Sequence, residues 1–120
     1  MFKDARKKNY DLLTNEFKDN NRFTLIESLP RTKVCWFSFP LLCNIPRGPV
    51  MKEFEKNNIE TRTIFSGNIT RHPAYKDTNY IKIGTLEHAD DIMNRGMFIS
   101  CHPSLINEMI GFIGKVARNI

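Results

Sequence analysis

Arg62 and Arg71 flank a glycine-asparagine bend in the run Glu60-Thr61-Arg62-Thr63-Ile64-Phe65-Ser66-Gly67-Asn68-Ile69-Thr70-Arg71-His72-Pro73-Ala74-Tyr75. Each guanidinium offers a rigid fork of donors that stays charged at any relevant pH, which suits carboxylates and phosphates. Gly67 and Asn68 accept backbone angles closed to most residues, so the chain can fold back between the two forks. The chemistry this spacing supports is anion recognition. Thr70 adds a hydroxyl donor and Tyr75 an aromatic ring with a phenol, while Pro73 stiffens the turn. From the residues alone two readings stay open: a surface loop whose arginines make exposed ion pairs of little worth, or a loop that reaches a polyanionic ligand.

Other chemistry finds less support. No Gly-rich phosphate loop, His-Glu-x-x-His, Cys-x-x-Cys or Gly-x-Ser-x-Gly occurs. His72, His88 and His102 are too scattered to specify a metal site, and no metal ligand set is assigned. His102 follows Cys101 directly, but neighbours on a strand point to opposite faces and cannot act as a nucleophile-base pair. Lys33, Lys76 and Lys82 sit in ordinary polar contexts and read as surface lysines. No catalytic or cofactor-binding residue is therefore assigned within this chain.

These side chains need elements to position them. Apolar residues at Phe2, Ala5, Leu12, Leu13 and Phe17 fall at roughly helical spacing, so Phe2 to about Asp19 reads as an amphipathic helix. Arg22 to Pro30 reads as a connector with a short apolar patch at Phe23, Leu25 and Ile26. Val34 to Phe39 is rich in β-formers and too apolar to be half exposed, which predicts a buried strand. Pro46 and Pro49 open a helix with Val50, Met51 and Phe54 on its buried face, ending near Asn57 and Asn58. Ile59 to Phe65 alternates as a second strand that delivers Arg62 to one face. Thr85 is expected to cap a short helix carrying Leu86, Ala89, Ile92 and Met93, with Gly96 at its end. Met97 to Cys101 is the third strand, and Leu105, Met109, Phe112, Ile113 and Val116 form the apolar stripe of a closing helix.

At 120 residues, with 41% apolar and 26% charged, the chain suits one domain of ordinary soluble composition. Its longest apolar runs fall far short of the ~20 residues of a membrane-spanning helix, and no apolar signal-peptide core follows Met1, so the expectation is cytoplasmic residence without membrane contact. Cys35, Cys43 and Cys101 lie in apolar, strand-like contexts and are expected to be buried free thiols. The net charge of +5 has one dense basic patch, Lys3, Arg6, Lys7 and Lys8. It reads as a solvated helix face, and no nucleic-acid partner is expected. The expected architecture is α/β (α+β), a two-layer sandwich of a small three- or four-stranded sheet with covering helices. A sheet this small has an uncovered face and edge, which suggests part of a larger protein.

Several stretches carry a resemblance. Trp36-Phe37-Ser38-Phe39-Pro40-Leu41, Ile59-Glu60-Thr61-Arg62, the run from Phe65 to Tyr75 and Asp90 through Met93 resemble the C-terminal region of the pyridoxal-phosphate-dependent DegT/DnrJ/EryC1/StrS-type sugar aminotransferase and dehydratase family. The nearest likeness is to its CDP-4-keto-6-deoxyglucose 3-dehydrase branch, which serves lipopolysaccharide O-antigen synthesis. The resemblance runs from about Tyr10 to Val116, with Gly-Asn-x-Thr-Arg-x-Pro-Ala-Tyr its most specific part. It implies a division into residues 1–21 as a linker helix and 22–120 as the small C-terminal domain of a fold-type-I enzyme. The pyridoxal phosphate (PLP) of the family would be held by a large domain, separately encoded or missing here, and none by this chain alone.

The same resemblance implies a nucleotide-sugar substrate met by Arg62, Asn68, Thr70, Arg71 and Tyr75, a family homodimer, and no activity from this chain by itself. The alternative is a noncatalytic anion-binding or interaction module. The sequence departs from the family pattern at His102, Ser100, Ser104 and His72. At Ile106 a threonine would commonly cap the last helix, so that cap is expected to be weak.

Overall fold

The computed structural model describes all of residues 1–120. Four α-helices and four strands occur in the order α1 (Phe2–Phe17), β1 (Phe23–Leu25), β2 (Ser38–Cys43), α2 (Arg47–Lys56), β3 (Thr61–Thr63), α3 (Glu87–Arg95), β4 (Gly96–Ser100) and α4 (Asn107–Asn119). The strands form one sheet in the order β1-β2-β4-β3, with every pairing antiparallel. The α/β two-layer expectation holds, with the fourth strand supplied by Phe23–Leu25 rather than a plain connector.

Alternation along the strands sorts residues between two faces. Phe39, Leu41 and Cys43 of β2 and Met97 and Ile99 of β4 face inward, where they meet Leu13 and Phe17 of α1, Val50 and Phe54 of α2, and Ile110, Ile113, Val116 and Ala117 of α4 in one core. Helix α1 contributes Leu13 and Phe17 to this packing. Its buried Asn9 donates through Nδ2 to the carbonyl oxygens of His102 (2.7 Å) and Leu105 (3.3 Å), tying it to the β4–α4 turn. On the other face lie Pro40 and Leu42 of β2, Arg62 of β3 and Phe98 of β4, and α3 packs there against β2 and β4 without contributing to the core.

Three local expectations are corrected. The buried strand begins at Ser38, not Val34, because pairing with β1 and β4 is available only to residues 38–43. The apolar run before it is held by α1 instead, where Trp36 stacks on Tyr10 at 5.6 Å between ring centroids. Pro40 fits inside β2 because β1 pairs only with Leu41–Cys43, leaving Pro40 a sheet neighbour on one side. The second strand shortens to Thr61–Thr63, since Ile64 enters a turn closed by the Gly67 N–H donating to the Ile64 carbonyl at 3.0 Å. Thr85 does not cap α3. Leu86 occupies that place at φ 58° with no side-chain cap, and Gly96 ends the helix with extended angles that lead straight into β4.

The buried face of α4 is rotated from the expected stripe. Ile110, Ile113, Gly114, Val116 and Ala117 are buried, whereas Met109 and Phe112 are about half exposed. Gly114 and Ala117 are small enough to admit α1, and a Cβ at Gly114 would run into the Glu16 side chain. That close approach selects the face. Ile106 stands at the N-cap without a side-chain hydrogen bond, as the sequence implied. Cys43 and Cys101 are buried free thiols, but Cys35 is exposed in the stretch before β2. No helix is long and apolar enough to cross a membrane.

The radius of gyration is 15.8 Å, against about 13.5 Å for a compact chain of this length. Two exposed segments account for the excess: residues 27–35 and residues 71–85, the latter holding Tyr80, Ile81 and Ile83 in solvent.

A candidate anion site at the two-arginine loop

The loop after β3 is built around Gly67 and Asn68. Gly67 takes φ +59°, and a Cβ there would collide with the backbone of Met93, so only glycine lets the bend sit on α3. Asn68 is 3% exposed, and both its amide oxygen and its amide nitrogen are engaged. Its Nδ2 donates to Asp90 Oδ1 at 2.7 Å, and its Oδ1 accepts from the Thr70 N–H (3.1 Å) and the Thr70 hydroxyl (2.7 Å). The Thr70 bonds cap a single turn of 3-10 helix, Ile69–Arg71, and His72 Nδ1, accepting from the Ala74 N–H at 3.3 Å, caps a second, Pro73–Tyr75.

Arg71 then reaches back to the same carboxylate. Its Nε bonds Asp90 Oδ1 and its Nη2 bonds Asp90 Oδ2 at 2.6 Å, a two-pronged pair between loop and helix. The hydrogen bonds and charge of Asp90 raise the Arg71 pKa, and those from Arg71 and then Asn68 hold the Asp90 carboxyl below its ordinary range. The Arg71 side chain is still 57% exposed.

Arg62 has a different setting. It stands on the outer face of edge strand β3, directly opposite Phe98 of β4, and its Nη2 donates to Glu60 Oε1 at 2.5 Å. Beside it opens a cleft of about 470 Å3 lined by Phe37, Phe65, Phe98, Ser38 and Ser100 among others. Tyr75 is half exposed, with its ring 5.8 Å from that of His72. The expected residues therefore divide in three. Asn68 and Thr70 spend their polar groups on shaping the loop, Arg71 and Arg62 each pair with a carboxylate, Asp90 and Glu60 respectively, and Tyr75 stands half exposed.

Sequence reasoning missed Asp90 as the anchor of the site, although it begins the Asp90-Met93 stretch used for the resemblance. It also missed Arg47, whose Nη1 donates to the carbonyl oxygens of Met93 (2.8 Å) and Gly96 (2.9 Å) and so fixes the end of α3. Neither has a local signal, since each partner lies far along the chain. Among the cavities, a second groove of about 450 Å3 runs between Ile59 and the exposed Met109 and Phe112 of α4.

The sequence pattern of the DegT/DnrJ/EryC1/StrS aminotransferase family matches residues 1–117. The chain belongs to that family. Within it, a dTDP-4-dehydro-2,6-dideoxy-D-glucose 3-dehydratase of Saccharopolyspora spinosa is 28% identical over 116 residues, covering 93% of this chain and 25% of that protein. The lipopolysaccharide biosynthesis protein RfbH of Salmonella typhimurium is 28% identical over 117 residues, covering 93% and 27%. The chain thus spans about a quarter of the length of these curated relatives.

Solved structures share the fold. A GDP-4-keto-6-deoxymannose-3-dehydratase carrying a trapped PLP-glutamate geminal diamine superposes with a TM-score of 0.86 at 21% identity, over 97% of this chain and 31% of that one. The sugar aminotransferase CalS13 of Micromonospora echinospora gives 0.83 at 14% identity, over 98% and 30%. Some of these relatives bind PLP. The residues here do not fit that group: a Schiff-base lysine is desolvated or sits beside another cation to lower its pKa, whereas every lysine of this chain is exposed, as are its three histidines.

Proposed function

We propose that this chain is the small, substrate-facing domain of a PLP-dependent nucleotide-sugar 3-dehydratase or aminotransferase, with residues 1–21 as the linker helix and residues 22–120 as the domain proper. The observation that carries this reading is the Asn68-Thr70-Arg71-Asp90 network, which aims an arginine outward from a loop of the family's own pattern. Arg62 and Arg71 neutralise the diphosphate of the substrate. Tyr75 orients it directly, and Asn68 and Thr70 do so through the loop they hold. The cofactor, when present, belongs to a large domain, and this chain alone neither dehydrates nor transaminates. The setting is cytoplasmic deoxysugar synthesis for lipopolysaccharide O-antigen; the Salmonella relative, a lipopolysaccharide biosynthesis protein, supports the lipopolysaccharide part of that reading.

The test pairs the purified chain with a separately expressed large domain of a 3-dehydratase relative and measures nucleotide-sugar binding and turnover. Arg71→Ala is expected to weaken binding by about 1–3 kcal/mol, the worth of a charged hydrogen bond. Turnover by the chain alone with added PLP would sink the proposal, and unchanged binding would remove Arg71 from the site. Tight anion binding that no large domain alters would favour the stand-alone module.

A further inference from the structure

Arg6 of α1 is the one residue with a buried side-chain polar atom left without a partner: its Nε is shielded from solvent and bonds to nothing. None of the chain's ion pairs includes its guanidinium either. Buried donors are almost always satisfied, because one that is not loses its hydration without compensation. Burial raises the Cys101 thiol and the Arg6 charge opposes that rise, which places the guanidinium near the end of β4. The backbone acceptors known there are committed to other groups. The His102 and Leu105 carbonyls accept from Asn9, and the Trp36 carbonyl accepts from the Cys101 thiol.

The surroundings of Arg6 indicate what kind of acceptor fits. Phe2 lies four residues earlier, hence on the same side of α1, and is 68% exposed. Val34, 43% exposed, shares a cleft with Lys3 and Lys7 of the same helix. Lys3, Lys7 and Lys8 are exposed and surround this end of α1 with positive charge. A free anion would meet the guanidinium and leave the apolar neighbours in water. A protein surface engages both, since arginine and aromatic residues are enriched at the centres of interfaces while charged groups belong at the rim. A planar guanidinium takes a carboxylate through two parallel bonds.

We propose that the first half of α1, centred on Phe2 and Arg6, is the surface on which the large domain docks, with a carboxylate of that domain taking the Arg6 guanidinium. This rests on the small-domain reading above and adds to it the residues that hold the two parts together. The chain spans about a quarter of its curated relatives, so the partner is large enough to supply a whole docking face. Lys3, Lys7 and Lys8 steer the acidic face towards α1 and contribute little once it is seated.

The experiment measures association of the purified 120-residue chain with a separately expressed large domain of a 3-dehydratase relative, by calorimetry, beside melting curves of the chain alone. Arg6→Met keeps the bulk of the side chain and removes the stranded donor. It is expected to weaken association at least about tenfold while the melting temperature of the chain alone stays level or rises. Phe2→Ser weakens association without changing the melt, and Lys52→Gln, on exposed α2 surface, changes neither. Acetate and inorganic phosphate, titrated into the chain alone, are expected to show no saturable binding. If Arg6→Met lowers the melting temperature and leaves association intact, Arg6 serves the fold and the docking surface is overturned, while the small-domain reading stands. Saturable acetate or phosphate binding that Arg6→Met abolishes, with association unchanged, would make Arg6 an anion site and also overturn it. If the large domain does not bind the wild-type chain at all, both readings fall together.

Discussion

Arg71 and Asp90 join the two-arginine loop to helix α3 through two guanidinium nitrogens, Nε and Nη2, and both carboxylate oxygens. Because the Arg71 and Asn68 bonds hold the Asp90 carboxyl below its ordinary value of 3.8, the folded pKa lies under the unfolded one. The contribution is therefore fully present above the unfolded value and is lost as pH falls through the folded one. Amide exchange at Thr70, whose N–H is held by Asn68, should show constant protection from neutral pH down to about 4 and falling protection below. Asp90→Asn should lower protection at neutral pH and abolish the acid step. Parallel acid loss in both proteins would show that another group controls the loop.

Two substitutions separate the shape of the bend from its hydrogen bonds. Asn68→Ala strands the Asp90 and Thr70 partners of a buried amide and should cost about 1–3 kcal/mol. Gly67→Ala keeps those groups but forces a Cβ into the Met93 backbone at a positive φ, and should cost at least as much. Thermal melts read both. A Gly67→Ala protein as stable as wild type would show that α3 does not seat the loop.

The rotated face of α4 yields a contrast between two neighbouring apolar residues. Ile113, 5% exposed, belongs to the core, and its replacement by alanine should cost about 2–5 kcal/mol. Met109, 49% exposed, should accept serine within about 0.5 kcal/mol. Urea denaturation of the two variants measures the difference. Equal losses would mean that Met109 is buried in solution.

The three thiols should label in order of burial. Cys35 is exposed and should react quickly with a disulfide reagent, giving one fast equivalent per chain. Burial pushes the Cys43 thiol up to about 11 and raises that of Cys101, so neither carries appreciable thiolate at neutral pH. Both should react only at the rate of opening. Three fast equivalents in the native state would contradict the packing of β2 and β4.

Much of this organisation is readable along the chain, because it depends on residues close in sequence. The period of Leu13 and Phe17 in α1, of Val50 and Phe54 in α2, and the Gly67-Asn68 bend each announce themselves within a few positions. The family motif from Gly67 to Tyr75 is likewise local, which is why resemblance pointed to the class of enzyme before any fold was in view.

What only the tertiary structure decided depends on partners that the chain brings from afar. Strand β2 begins at Ser38 because its pairing with β4 begins there, and α4 turns its Gly114 face inward because α1 needs that room. Arg71 is aimed by an Asp90 nineteen residues on. Phe37, Phe65 and Phe98, far apart in sequence, meet only once the sheet has formed. Propensity and spacing report what a segment can do by itself. Register, helix rotation and convergent side chains arise from competition among distant surfaces for burial, and no local window contains that competition.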